Sequence, residues 1–426
     1  MLTLPSEIRS PAQWATKRVI LARITEFRPV PFIMNPTLIL LALAAFSQAA
    51  PVLVVQAGAH DRSQTPVTIA LPTDFPENPT LKGADGKSLP LQISDDGNAT
   101  FILPELAAGQ SAEYELSGLP DAPAETALAE EKENDVSFSV GGKAVTSFIG
   151  IATELPRKDI PPIYLRGGYL HPLVSPTGNV VTDDYPANHL HHHGVWTAWT
   201  NAVFKGRKTD FWNMGDGRGK VDCTATDYSW SGPVHAGVEA ENAYTDLTSG
   251  DPVLVLNEVW TVKVFAVSDG EKPYRLLELT SIQNMADDFD LELPEYHYGG
   301  IGIRGFGAWD GAENASFLTS EGVTDRDQAN GKPAKWISMG GEAEKGRANI
   351  AILGSASNFR APQPLRVHPT EPFVCFAPQV AGAMKIQHGK DYRSQYRLVI
   401  TDGDADKELL DRLWNDYAEP PVANWK

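Results

Sequence analysis

A chain of 426 residues, 42% of them hydrophobic, can bury a sizeable core, enough for one large β domain plus a smaller one or for two or three average domains. Its 36 Gly and 32 Pro punctuate the sequence so often that long helices can occupy little of it. A net charge of −18 repels polyanions and so excludes nucleic acid as a partner, whereas a neutral or cationic ligand is easily accommodated.

In chain order, the first feature is the apolar run Leu38 to Phe46, too short to span a bilayer and followed by the small residues of Ser47-Gln48-Ala49. This pattern predicts a secretory signal peptide over residues 1–49, whether translation starts at Met1 or Met34, and an exported protein of the periplasm or the extracellular space. Those 49 residues hold five basic and two acidic side chains, so the mature charge moves from −18 to −21. Export would permit a bond between the only two cysteines, Cys223 and Cys375, but the sequence leaves that pairing open.

Residues 50–120 alternate short apolar segments (Val52 to Val55, Val67 to Leu71, Thr100 to Leu103) with turn signals such as Asp85-Gly86 and Asp96-Gly97, which predicts a small β-sandwich. Residues 121–134 are rich in Ala and Glu and read as a linker. From 135 to 426 the pattern predicts a large antiparallel β-sandwich closed by a C-terminal helix, whose apolar face is Leu409, Leu410, Leu413, Trp414 and Tyr417 and whose N-cap is Asp404 or Asp406. Nowhere after residue 50 does an apolar stretch approach the length of a membrane helix, so no transmembrane segment is expected in the mature chain.

Within the large domain, Asn188-His189-Leu190-His191-His192-His193-Gly194-Val195-Trp196 places four of the ten histidines in five positions. Imidazole serves proton transfer and metal ligation alike. If the stretch is extended, His189, His191 and His193 share one side and His192 the other, and His189 with His191 could hold a divalent metal given further ligands from elsewhere. Metal-free acid/base chemistry and a hydrogen-bonded turn remain open beside that reading. Just downstream, Trp196, Trp199, Phe211 and Trp212 crowd together with Arg207 and Asp210, a mixture suited to sugar, whose apolar ring face stacks while its hydroxyls need polar partners.

The strand predicted over Val253 to Ala266 puts Leu254, Leu256, Trp260, Val262 and Val264 on one face together with Glu258, a carboxylate that either pairs with a cation or serves as a general acid. A second constellation runs from Glu295 to Gly305, where Glu295 and His297 share a face if extended, Tyr298 follows, glycines permit unusual dihedrals, and Arg304 offers a planar donor. The two constellations are expected to meet in one concave site. His191, His192, His297, Glu258 and Glu295 are the candidates for catalysis, and Trp196, Asp210, Trp212, Tyr298 and Arg304 for holding substrate.

At His171-Pro172, Val181-Thr182-Asp183-Asp184-Tyr185-Pro186, His189-x-His191-His192-x-Gly194-x-Trp196, Asp210-Phe211-Trp212 and Tyr298 to Gly305 the sequence resembles a family of exported bacterial proteins known as "methane oxygenase PmoA" or as a domain of unknown function. Relatives are expected to read Asp-His-Pro-His-His-Arg-Gly where this chain has Asn188, Leu190 and His193, so His189, His191 and His192 carry over. The oxygenase name would imply a membrane copper enzyme, which the absence of a membrane-length apolar stretch opposes. The resemblance implies instead a supersandwich of the galactose-mutarotase-like kind, in bacteria that degrade complex glycans. Together these readings lead to an exported carbohydrate-active enzyme that works on a small-molecule or oligosaccharide substrate by hydrolysis, elimination or epimerisation. The alternatives are a non-catalytic carbohydrate-binding protein and a metal-dependent enzyme.

Overall fold

The computed structural model describes residues 50–119, 126–267 and 272–426, so the signal peptide expected over residues 1–49 lies outside the described residues. Strand takes 51% of the described residues and helix 7%, and the fold is the all-β sandwich that the turn-rich pattern predicts.

The large domain consists of two eight-stranded antiparallel sheets. The front sheet runs, edge to edge, through the strands Leu365–Val367, Phe373–Phe376, Gly300–Arg304, Val195–Ala198, Tyr169–Leu173, Lys143–Ile149, Asp135–Val140 and Ala127–Lys132. The back sheet runs through Gly219–Trp230, His235–Asp246, Val253–Phe265, Tyr274–Met285, Tyr392–Asp402, Gly346–Gly354, Trp336–Ala343 and Ala315–Thr319. Between the sheets, Ile301, Ile303, Val374 and Phe376 from the front pack with Trp260, Val262, Leu277, Leu279, Leu398 and Ile400 from the back. Alternation sends the intervening residues Trp196, Ala198, Phe373 and Cys375 to the outer face of the front sheet, where a second apolar cluster and a small four-stranded sheet cover them. A front strand buried on both faces therefore reads as continuously apolar, as Phe373–Phe376 does.

Two expectations are corrected here, and one point left open is decided. Ala127–Lys132, read as linker, is the edge strand of the front sheet. Its Ala- and Glu-rich composition reflects an edge whose far half faces water. Leu254 does not join the buried face of its strand, because a bulge in the pairing with His235–Asp246, between Tyr244 and Thr245, turns it outward to 43% exposure. Cys223 and Cys375 are both free and belong to different core clusters, so no disulfide forms.

The small N-terminal sandwich pairs a five-stranded sheet with a three-stranded one around Leu53, Val55, Val67, Leu81, Phe101 and Leu103. Its five-stranded sheet is completed by the last strand of the chain, Val422–Trp425, which pairs antiparallel with Val52–Gln56. The domain boundary expected at residue 120 is thus crossed again at the C-terminus. The helix Lys407–Ala418 is capped by Asp406, whose side chain accepts from the Leu409 N–H, and its Leu410 and Leu413 pack on the outer side of the back sheet with Leu276, Leu353 and Val399.

The same helix fastens the small sandwich. Asp416 accepts from Arg62 at 3.0 Å and from Thr65 at 3.0 Å, with both members of the Arg62–Asp416 pair about 1% exposed, and Arg62 also donates to the Glu419 carbonyl. Asp416→Ala would strand the buried guanidinium, and we expect a loss of roughly 3–5 kcal/mol, read from denaturant unfolding. Hydrogen exchange should show the strand Arg62–Ala70 losing protection most.

Candidate functional site

The histidine stretch is not extended. The N–H of His189 closes a turn onto the Pro186 carbonyl and the N–H of His192 closes the next onto His189, so the chain coils where alternation was expected. In consequence His189 stacks on His192 with ring centres 4.7 Å apart, His191 meets His192 edge to face at 4.6 Å, and His193 turns away. His193 is fully buried, bonded through Nδ1 to Asp184 at 2.7 Å and stacked on Tyr169, which itself donates to Asp184. It is a packing residue.

The cluster sits on the outer face of the front sheet. His192 stacks on Phe373 at 4.8 Å and leans on Trp196 at 5.3 Å, while Trp196 and Trp212 are 5.0 Å apart. These rings converge over Gly302, the residue paired with Trp196, where a Cβ would lie 2.9 Å from Trp212, 3.1 Å from Phe373 and 3.2 Å from Trp196. A side chain at that position would push the rings apart. Trp196 and Trp212, expected to hold substrate, are instead 0% and 2% exposed and form the floor beneath the site. Asp210 is likewise structural: it accepts from the N–H groups of Trp212 and Asn213 and from Thr200, and so shapes the turn that delivers Trp212.

The second constellation does meet the first. The strand Gly300–Arg304 pairs directly with Val195–Ala198, and the Arg304 N–H bonds the Gly194 carbonyl at 3.0 Å. At the other end of that strand, Gly299 and Gly300 adopt φ of 125° and 91°, which reverses the chain and places Tyr298 against Phe373 at 5.8 Å with His297 beside it at 4.6 Å. His192 and His297 therefore share one face, joined through Phe373 and Tyr298. Residues 295–298 are bends, not strand, and Glu295 and His297 are exposed at the rim.

Glu258 is not part of this site. It is 0% exposed between the sheets and accepts from Thr197, Asn242, Tyr244, Ser281 and Gln283. Since Thr197 points inward and its neighbour Trp196 outward, Glu258 and His192 lie on opposite faces of the front sheet. Its role is to join the sheets.

The carboxyls that face the histidines are Asp310 and Glu371. Arg304, with a side chain fully buried, donates Nη1 to Glu371 at 3.0 Å and Nη2 to Asp310, and is a positioning residue in place of the substrate contact expected. Asn188 donates to Glu371 at 2.6 Å and accepts from Arg304, so an amide stands where a carboxylate would have added a third negative charge. Burial, joined by adjacent Glu371 and opposed by Arg304, raises the Asp310 carboxyl to about 6. Burial acts the same way on Glu371, but hydrogen bonds from Asp310, Arg304 and Asn188 outweigh it and hold that carboxyl below its ordinary value. The pair thus holds one proton below about pH 6. His368, three residues before Glu371, meets His189 edge to face at 5.7 Å.

The imidazoles are neutral. Burial lowers His189 and carries His192 well below the usual range, and burial takes His191 to about 3 and His368 to about 4, helped by neighbouring imidazoles and Arg304. Buried polar atoms without a hydrogen-bond partner concentrate here: Nδ1 of His189 and His192, Nε1 of Trp196, and Nε of Arg304 and Arg366. Arg366 lies over the Tyr298 ring and donates to its hydroxyl at 3.0 Å. Among the described residues no three His, Cys, Asp or Glu side chains converge as a metal-ligand set, and the chelate expected at His189 and His191 ends at two imidazoles in edge-to-face contact.

One consequence concerns acid. Because the folded imidazoles resist protonation and the unfolded ones, near 6.5, accept it, the unfolded state binds more protons as pH falls. We expect the denaturant midpoint to drop steadily from pH 6.5 to about 4, the value at His368. A flat profile over that window would overturn the neutral cluster.

The geometry defines an all-β sandwich protein with imidazoles and a proton-sharing carboxyl pair on the outer face of one sheet. The description "Family of unknown function (DUF6807)" belongs to the family model that matches residues 135–415, and the chain belongs to that family. No curated protein matches it. Among the described residues no helix is long and apolar enough to cross a membrane.

Proposed function

We propose that the protein is an exported carbohydrate-active enzyme that performs acid/base chemistry on a sugar or glycoside at the outer face of the front sheet. The observation that carries the reading is the Asp310–Glu371 pair, fixed by Arg304 and adjoining neutral imidazoles. Protonated Asp310 donates to a departing or ring oxygen, and a neutral imidazole of His189 or His368 accepts the proton removed elsewhere on the sugar. His191, His192 and the buried tryptophans hold the accepting ring in place. The half-buried Tyr296 and Tyr298 rings, with His297 between them, give an aromatic wall against which a pyranose can stack.

The test is a screen of purified mature protein against neutral glycans, aryl glycosides and oxidised sugars, with products followed by mass spectrometry and NMR. Turnover of at least one class, lost in Asp310→Asn, is expected. Tight binding of a member without any turnover would replace the enzyme by a sugar-binding protein.

A further inference from the structure

A second cleft lies far from the histidines, where the small sandwich meets the free edge of the back sheet. It measures about 550 Å3, within the range of small-molecule sites. One wall is the edge strand Gly219–Trp230, which presents Tyr228, 43% exposed, and Trp230 two residues on, their ring centres 5.4 Å apart and inclined by 34°. Trp230 lies over Gly237 of the neighbouring strand, where a Cβ would stand 2.1 Å from the indole, so the lack of a side chain there lets the ring lie down against the sheet.

The opposite wall is the Gln92–Asp96 segment of the small sandwich. It is held in place: the Gln92 side-chain oxygen accepts from the N–H groups of Val234 at 3.0 Å and His235 at 2.9 Å, and its amide donates to the His235 carbonyl at 2.8 Å. Thr261 and Lys263 complete the lining.

His235 lines this cleft although it is only 2% exposed. Its Nδ1 accepts the indole N–H of Trp230 at 2.9 Å, and the Gln92 amide approaches the same atom at 3.4 Å. Burial, with Lys263 nearby, keeps the ring neutral by lowering it to about 3. A neutral imidazole that accepts at Nδ1 carries its hydrogen on Nε2, and that nitrogen is buried without a partner. The same bond that orients the indole therefore also fixes the tautomer of the imidazole beneath the cleft wall.

We propose that this cleft is a second ligand site, which takes a neutral sugar residue with its apolar face on Tyr228 and Trp230, the Trp230 indole being held in place by its bond to His235. Polar groups at Asp95, Thr261 and Lys263 meet its hydroxyls. Asp95 and Asp96 on one side and the overall negative charge disfavour an anionic ligand. The site is carried by its own residues and stands whether or not the histidine face is catalytic.

Calorimetric titration of the full mature chain with maltohexaose, cellohexaose, xylohexaose and mannohexaose tests it. At least one is expected to bind, with affinity reduced about tenfold or more in Tyr228→Ala, the loss of a stacking face, and retained in Tyr228→Phe. Lys263→Ala should weaken the same sugar, and Asp310→Asn should leave its binding unchanged. Failure of all four sugars to bind, or binding indifferent to Tyr228→Ala in a variant whose melting temperature is unchanged, would overturn the proposal. Binding lost in Asp310→Asn alone would also overturn it, because the sugar would then belong to the histidine face.

Discussion

Asp310→Asn is expected to lower kcat/KM on the sugar that is turned over by about 10²- to 10⁴-fold, the usual contribution of a positioned general acid. Asp310 shares its proton with Glu371. The acid form of Asp310 is required, so the rate should fall as pH rises through about 6. Glu371→Gln removes the negative neighbour that raises Asp310 and leaves burial against Arg304, so the descending limb of the pH–rate profile should move to lower pH. An unchanged limb in that variant would mean that the two carboxyls do not titrate together and that another group supplies the proton.

Glu258→Ala should cost roughly 3–5 kcal/mol of stability in denaturant unfolding. The side chain is the common acceptor for donors from three separate strands: Thr197 on the front sheet, and Asn242 with Tyr244 on one back strand and Ser281 with Gln283 on another. Truncation removes the acceptor of Thr197, Asn242 and Ser281 and leaves Tyr244 and Gln283 only their bonds to Thr197 and to each other, and each unsatisfied group costs about 1–3 kcal/mol before relaxation. Glu258→Gln, which keeps an acceptor oxygen but adds two hydrogens to a shell already made of donors, should fall between wild type and Ala. A variant that stays as stable as wild type but loses turnover would restore Glu258 as a catalytic group and refute its placement between the sheets.

Sequence pattern carried the architecture further than the site. Alternation at Phe373, Cys375 and Ala377 against Val374 and Phe376 is realised as membership of two different cores, and the terminal helix begins at one of the two expected caps. The Ala127–Lys132 strand escaped because an edge exposed on one flank carries no apolar alternation. Glu258 stood out as a carboxylate on an apolar face, but its role depends on Thr197, which reaches it only once the two sheets stack. Asp310, His368 and Glu371 were missed because each lies in a loop where spacing has no period. The one local signal was the proximity of His368 and Glu371 in His-Pro-Thr-Glu-Pro, ahead of the strand Phe373–Phe376. The histidines announced the region, yet two successive turns, invisible to a reading of extended chain, decided which of them face one another.

The pairing of Val422–Trp425 with Val52–Gln56 has a consequence for vectorial synthesis. The small sandwich is the first described part of the chain to emerge, but its five-stranded sheet lacks an edge strand, and Arg62 lacks its buried counter-ion Asp416, until nearly every later residue has followed. Until then the outer edge of Val52–Gln56 offers unpaired backbone groups to any passing strand. The small sandwich, which precedes the large one in the chain, is therefore completed only after it, and its maturation waits on residues 416–425 rather than proceeding domain by domain.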